Sequence, residues 1–172
     1  MLLLSASWLN NLLKYAKNIT TTYKRGDFFI IIGVFEQNNY IKSRLSACLE
    51  GAPGEWHIVD IKNEGRNAFD IAVVTKNIPD KIISPILICP AEMAENLAKR
   101  GRFGQIVTVG YSSGDTVTFS AMGENALSVC FTDDIKPIFG GTIGAGEVVL
   151  REYGEPMGDM IVSAVLRCIG MV

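Results

Sequence analysis

The sequence predicts an α/β fold, a mostly parallel sheet flanked by helices with an antiparallel β-meander toward the C-terminus. Three observations carry this. Apolar runs such as FFIIIGV and FDIAVV have the continuous hydrophobicity of strands buried on both faces. Stretches with helical spacing, Tyr40 to Glu50 and Pro90 to Gly101, lie among them. Beyond Ser113 the pattern changes to short alternating strands separated by Gly-, Asn- and Asp-containing turns. The 172 residues are expected to form a single domain, with an N-terminal amphipathic helix inside residues 1–19 and an α/β core over 27–172.

The elements follow in order. Leu2 to about Lys17 places Leu2, Leu3, Leu9, Leu12, Leu13 and Ala16 on one stripe, flanked by Trp8 and Tyr15. Such a helix packs on the core of its own domain or docks a protein partner or a second copy of the chain. Thr20 to Gly26 is a polar connection. Asp27 to Val34 reads as the first buried strand and Phe35 to Asn39 as a short polar loop. Tyr40 to Glu50 reads as a helix burying Ile41, Leu45, Cys48 and Leu49. Gly51-Ala-Pro-Gly54 is a turn cluster. Strands are expected at Trp56–Ile61, Phe69–Thr75, a short Pro85–Cys89, and Gln105–Val109. The helix from Pro90 has proline near its first turn and ends in Lys99, Arg100 and Gly101, the usual start and stop signals. Meander strands are expected at Thr116–Met122, Ala126–Phe131 and Glu147–Arg151, and an apolar helix at Met157–Ile169.

Composition narrows the function classes. Apolar residues make up 48% and charged residues 20%, a globular balance. A net charge of −2 argues against broad binding to nucleic acid or to an anionic membrane. Cys48, Cys89, Cys130 and Cys168 are widely spaced and show no metal-ligand pattern, so they read as reduced thiols of a cytoplasmic protein. His57 is the only histidine, and it reads as structural. MLLLSASWLNNLL has no basic start and is interrupted by Ser5, Ser7, Asn10 and Asn11, so neither a signal peptide nor a membrane span is expected there.

A strand, short loop and helix is where α/β folds hold phosphate, because a helix N-terminus presents free N–H groups and partial positive charge. The loop after the first strand is Gly33-Val-Phe-Glu-Gln-Asn-Asn-Tyr. It lacks the second glycine and the Lys-Ser/Thr pair of a P-loop, and Glu36 would set a negative charge where phosphate belongs. Asp60, Glu64 and Asp80 follow strands, where carboxylates can hold a metal or act as a base, or can be solvated surface groups. Gly110-Tyr-Ser-Ser-Gly114 matches a nucleophile elbow by letter, but a strand pattern follows it instead of a helix. Gly140, Gly141, Gly144 and Gly146 have no helix after them and fit a hairpin or bulge.

Taken together, FDIAVVTKNIPD, ILICPAEMAENLAKRGRFGQIVTVGYSS, GDTVTFSAM and GEPMGDMIVSAVLRCIGMV, with DFFIIIG in the P-loop position, resemble the central ATP-binding domain of the Mur ligases and folylpolyglutamate synthetases. The resemblance covers roughly Asp27 to Val172 and implies a P-loop NTPase-like fold, which in that family serves ATP and magnesium chemistry. The departures fall on that chemistry. The P-loop glycine, lysine and threonine are missing. Asp60 or Glu64 only approximates the family's magnesium-binding Glu. Asn77 is displaced by one residue from the family's Thr-Asn pair, Asp80-Lys81 replaces Asp-His, and Met157-Gly-Asp159 replaces the His-Asn before the last helix. The expectation is a non-catalytic Mur-ligase-like domain, a pseudoenzyme acting through protein contacts or through a small ligand in a remodelled cleft. No catalytic residue, metal ligand or cofactor is assigned, and ATP with magnesium is set aside. The residues placed to line such a cleft are Gly33, Gln37, Asn38, Asn39, Tyr40, Asp60 and Asn77. The alternative is a nucleotide-binding or ligase-like enzyme that uses these polar groups as a non-standard phosphate loop.

Overall fold

The computed structural model of the protein describes residues 29–61, 67–76 and 81–172. The expected N-terminal helix, the connection after it, Asp27, Glu64, Asn77 and Asp80 lie outside the described residues.

The apolar runs become strands β1 (Phe29–Phe35), β2 (Glu55–Asp60), β3 (Ile71–Val74), β4 (Ile83–Pro90) and β5 (Arg102–Val109). Helix α1 (Tyr40–Leu49) joins β1 to β2, and α2 (Ala91–Arg100) joins β4 to β5. The alternating segments form β6 (Val117–Met122), β7 (Ala126–Phe131) and β8 (Gly146–Arg151), and α3 (Pro156–Cys168) follows them. All eight strands share one sheet in the order β2-β1-β3-β4-β5-β6-β7-β8. Pairing is parallel from β2 through β6 and antiparallel for β6–β7 and β7–β8. The α/β class and the antiparallel C-terminal extension are therefore present as expected.

Position in the sheet explains composition. Ile71, Ala72, Val73 and Val74 of the inner strand β3 are all fully buried, because helices cover both faces there. One face of the sheet packs Ile32, Val34 and Ile88 against α1 and α3. The other packs Phe35, Val74 and Leu87 with Phe69 and Leu97 of α2. The crossover through α1 moves leftward to β2 and the crossover through α2 moves rightward to β5. Crossovers of one hand running in opposite directions put their helices on opposite faces. α3 is buried along its length from Gly158 to Cys168, as an apolar helix must be.

The strand β4 is longer than the sequence suggests. The expected strand opens at Pro85 and ends at Cys89, yet Ile83, Ser84 and Pro90 also belong to it. The Ser84 hydroxyl, 2% exposed, is satisfied by donation to the Ile86 carbonyl at 2.7 Å and lies 3.3 Å from that of Asp70. Pro85 falls between the Ala68–Ile83 bridge and the Ile71–Ile86 pair, where β3 is not yet alongside to need its N–H.

Candidate functional site

Because β1 lies between β2 and β3, the chain reverses direction there, and the crevice at the C-terminal ends of β1 and β3 is where open α/β sheets bind ligands. It is also where the sequence places its candidate residues. The Phe35 carbonyl accepts the Thr75 N–H at 2.9 Å and its hydroxyl at 3.2 Å. Gly33 is buried for a packing reason, since a Cβ there would come 2.5 Å from the Phe69 ring.

Glu36 carries the largest correction. It does not merely repel phosphate from the start of α1; it takes the phosphate's place. Its two carboxylate oxygens accept the backbone N–H groups of Ile41 and Lys42, each at 2.8 Å. The Tyr40 N–H is 3.3 Å from the Asn38 side-chain oxygen, and the Ser43 N–H donates to the Asn39 carbonyl at 3.1 Å. Every donor of the first turn, the set that would bind an anion, is thus satisfied within the chain. Asn39 makes the geometry possible by adopting a left-handed conformation, φ 63°, which asparagine tolerates well among non-glycine residues.

The same loop is fastened to the start of α3. The buried Asp159, 1% exposed, accepts the Tyr40 hydroxyl at 2.9 Å and the Gly154 N–H at 2.7 Å on one oxygen. Its other oxygen accepts Arg44 Nε and lies beside Nη2, each at 3.0 Å, so two guanidinium nitrogens converge on one carboxylate oxygen. The Tyr40 hydroxyl in turn accepts the Glu155 N–H at 3.0 Å, and Asn38 donates to the Glu155 carboxylate at 3.0 Å. The Tyr40 ring lies against two glycines; a Cβ at Gly158 would come 2.6 Å from it. Burial, aided by the Asp159 charge, raises the Tyr40 pKa above its ordinary value, so the phenol stays a neutral donor.

Of the expected site residues, the structure brings Asn38 and Tyr40 into this network. Gln37 and Asn39 are exposed beside it. Asp60 stands at the end of β2, in register with Val34 of β1. Asn77 lies outside the described residues. Asp159, Arg44 and Glu155 were not assigned from the sequence as site residues.

Other sequence candidates resolve into structure. His57 is on the sheet edge, half exposed, 3.2 Å from the Glu55 carboxylate and with its ring tilted against that of Phe29. The letters of the nucleophile elbow form a turn held by Asp115, whose carboxylate accepts the Ser112 N–H at 2.9 Å. The glycine-rich segment forms the hairpin expected of it, with Ile135 and Ile143 exchanging backbone hydrogen bonds. Cys48, Cys89 and Cys168 are buried and Cys130 is half-buried, all as free thiols. Among the described residues no group of His, Cys, Asp and Glu side chains is placed to hold a metal ion, and no helix is long and apolar enough to cross a membrane. A shallow groove of about 830 Å³ opens at the far end of α1, between Glu50, Gly51, Glu55 and Trp56.

Comparison of the chain with protein-family models, curated proteins and solved structures finds no match.

Proposed function

We propose that the protein is a non-catalytic, Mur-ligase-like α/β domain that acts through protein contacts or through a small ligand in a remodelled cleft. The observation that supports this reading is the Glu36 carboxylate on the Ile41 and Lys42 amides. A triphosphate would have to displace a covalently tethered anion, and the loop lacks the Lys-Ser/Thr pair with which a P-loop holds one. The exposed Gln37, Asn38 and Asn39 beside the capped turn are the surface through which the loop meets a partner or ligand. Cytoplasmic residence and assembly through the N-terminal helix belong to the same reading.

Calorimetry with ATP and magnesium tests it. The expected result is no heat of binding for the native chain up to millimolar nucleotide and no hydrolysis. Tight, magnesium-dependent binding with hydrolysis would overturn the reading in favour of a nucleotide enzyme with a non-standard loop. Glu36→Gln in the same titration separates a masked phosphate site, which would gain binding, from a lost one, which would not.

A further inference from the structure

The sheet ends on β8, and no described strand lies on its outer side. The way β7 meets β8 fixes what that side offers. The Glu152 N–H donates to the Asn125 carbonyl at 3.0 Å, which marks Asn125 and Glu152 as a hydrogen-bonded pair. Along an antiparallel ladder such pairs alternate with pairs that exchange no bond. In this register Leu127–Leu150 and Val129–Val148 are bonded, while Ala126–Arg151, Ser128–Val149 and Cys130–Glu147 are not. The N–H and C=O groups of Glu147, Val149 and Arg151 therefore point away from β7, along the open edge. The other side of β7 agrees. The Thr132 N–H donates to the Thr116 carbonyl, which turns the backbone groups of Cys130 toward β6 and away from Glu147.

The same three residues carry their side chains on the sheet face away from α3. Val148 and Leu150 between them pack into the core on the α3 side. Glu147 and Arg151 are exposed, and Val149 is 55% exposed at the centre of the strand. An edge strand with free backbone groups is a template for a further strand, and charges commonly blunt it. Here the charges are symmetric about Val149, with Glu147 two residues before it and Arg151 two residues after. In an antiparallel mate of identical sequence centred on Val149, each Glu147 stands opposite an Arg151. In a parallel mate in register, like charges stand opposite each other. The pattern therefore repels one arrangement and favours the other. Glu147 accepts the Ser120 hydroxyl on one carboxylate oxygen. Arg151 takes part in none of the ion pairs formed among the described residues.

We propose that the chain forms a two-fold homodimer in which β8 pairs antiparallel with β8 of a second copy, Val149 opposite Val149. Glu147, Val149 and Arg151 of each copy supply three hydrogen-bonded pairs, and each pair exchanges two backbone bonds. The two-fold axis runs through the Val149 pair, perpendicular to the sheet, so the two eight-stranded sheets become one. Both copies keep α3, which packs on β4 to β7, on the same side and set back from the joint. The pairing uses β8 alone, apart from the capped turn of α1.

Sedimentation velocity of the full chain from about 1 to about 200 µM tests it. The expected mass rises from 18.7 kDa toward twice that value over this range. Over the same range the amide hydrogens of Glu147, Val149 and Arg151 should exchange more slowly with solvent, since only the second copy can protect them. Arg151→Glu brings carboxylates together at both ends of the pairing, and Glu147→Arg brings guanidinium groups together; each should weaken self-association by about tenfold. Mixed one to one, the two single variants should recover a dimer, because their edge charges are complementary in this register. Val149→Pro removes an N–H that β7 does not use, so it should abolish the dimer and keep the native circular dichroism. A native chain that stays monomeric throughout overturns the proposal, as does a dimer in which exchange at Val149 is unchanged. So does a dimer that persists in both single charge variants, which would lie on another surface, or a mixture of the two folded variants that does not associate.

Discussion

Two arginines stand at opposite ends of one helix, the half-buried Arg44 and the buried Arg167, and are treated in opposite ways. Arg44 meets Asp159 in a two-pronged ion pair whose carboxylate also satisfies Tyr40 and Gly154. Arg167 has a ring, a carbonyl and an unused Nε. A buried pair with every lone pair used is architecture: removing one partner strands the other, and exchanging both for apolar groups can be neutral. A buried cation that no carboxylate meets among the described residues has no such closed account. The contrast separates the end of α3 that holds the fold together from the end that is chemically incomplete.

The largest expected effect comes from breaking the complete end. Asp159→Ala strands Arg44, the Tyr40 hydroxyl and the Gly154 N–H, and should lower unfolding free energy by about 3–5 kcal/mol in urea titration. A loss under about 1 kcal/mol would mean that the clamp is ornamental. Next comes alkali. Cys48 beside Arg44 and Cys168 beside Arg167 are both pushed up to about 12 by burial, which outweighs the pull of each guanidinium. The unfolded chain releases these protons near the ordinary value of 9.0 while the folded chain keeps them. The stability they confer is therefore complete below pH 9 and declines as pH rises toward 12, by about 1 kcal/mol per pH unit and thiol. Urea midpoints measured from pH 7 to 10 should be level and then fall; a level profile throughout contradicts the burial argument. Glu36→Ala removes two charge-assisted cap bonds and should cost about 1–2 kcal/mol, with loss of helical circular dichroism small. The smallest effect belongs to the incomplete end. Arg167→Met should stay within about 1 kcal/mol of the native chain, because lost cation–ring and carbonyl contacts are offset by relief of a poorly solvated charge. A loss as large as that of Asp159→Ala would erase the distinction between the two arginines.

Periodicity made much of the fold legible. Ile41, Leu45, Cys48 and Leu49 lie on the buried face of α1, and β7 has the bounds that alternation indicates. The order of the strands was not legible, since β1 beside both β2 and β3 is a property of pairing between distant residues. Nor was the clamp: Arg44 and Asp159 are 115 residues apart, and no spacing rule links them. Glu36 was visible but misjudged. Its place before a helix is a capping signal in its own right, and comparison with a P-loop turned a stabilising carboxylate into a mere obstacle. Arg167 inside an apolar helix offered a clue, a charge where the pattern calls for none, but only its surroundings show that no carboxylate answers it among the described residues.

The slot that Gly154 and Gly158 form for the Tyr40 ring has a consequence for how the chain is made. Tyr40 and Asp159 are separated by 119 residues, so on a ribosome α1 is complete long before its binding groove exists. Until Pro156–Cys168 emerges, Ile41 and Leu45 have the sheet for cover but not their helical neighbour, and Arg44 has no counter-charge. Synthesis halted before Pro156 would yield a chain with all eight described strands and an open apolar flank, a substrate for chaperones and proteases rather than a smaller version of the fold.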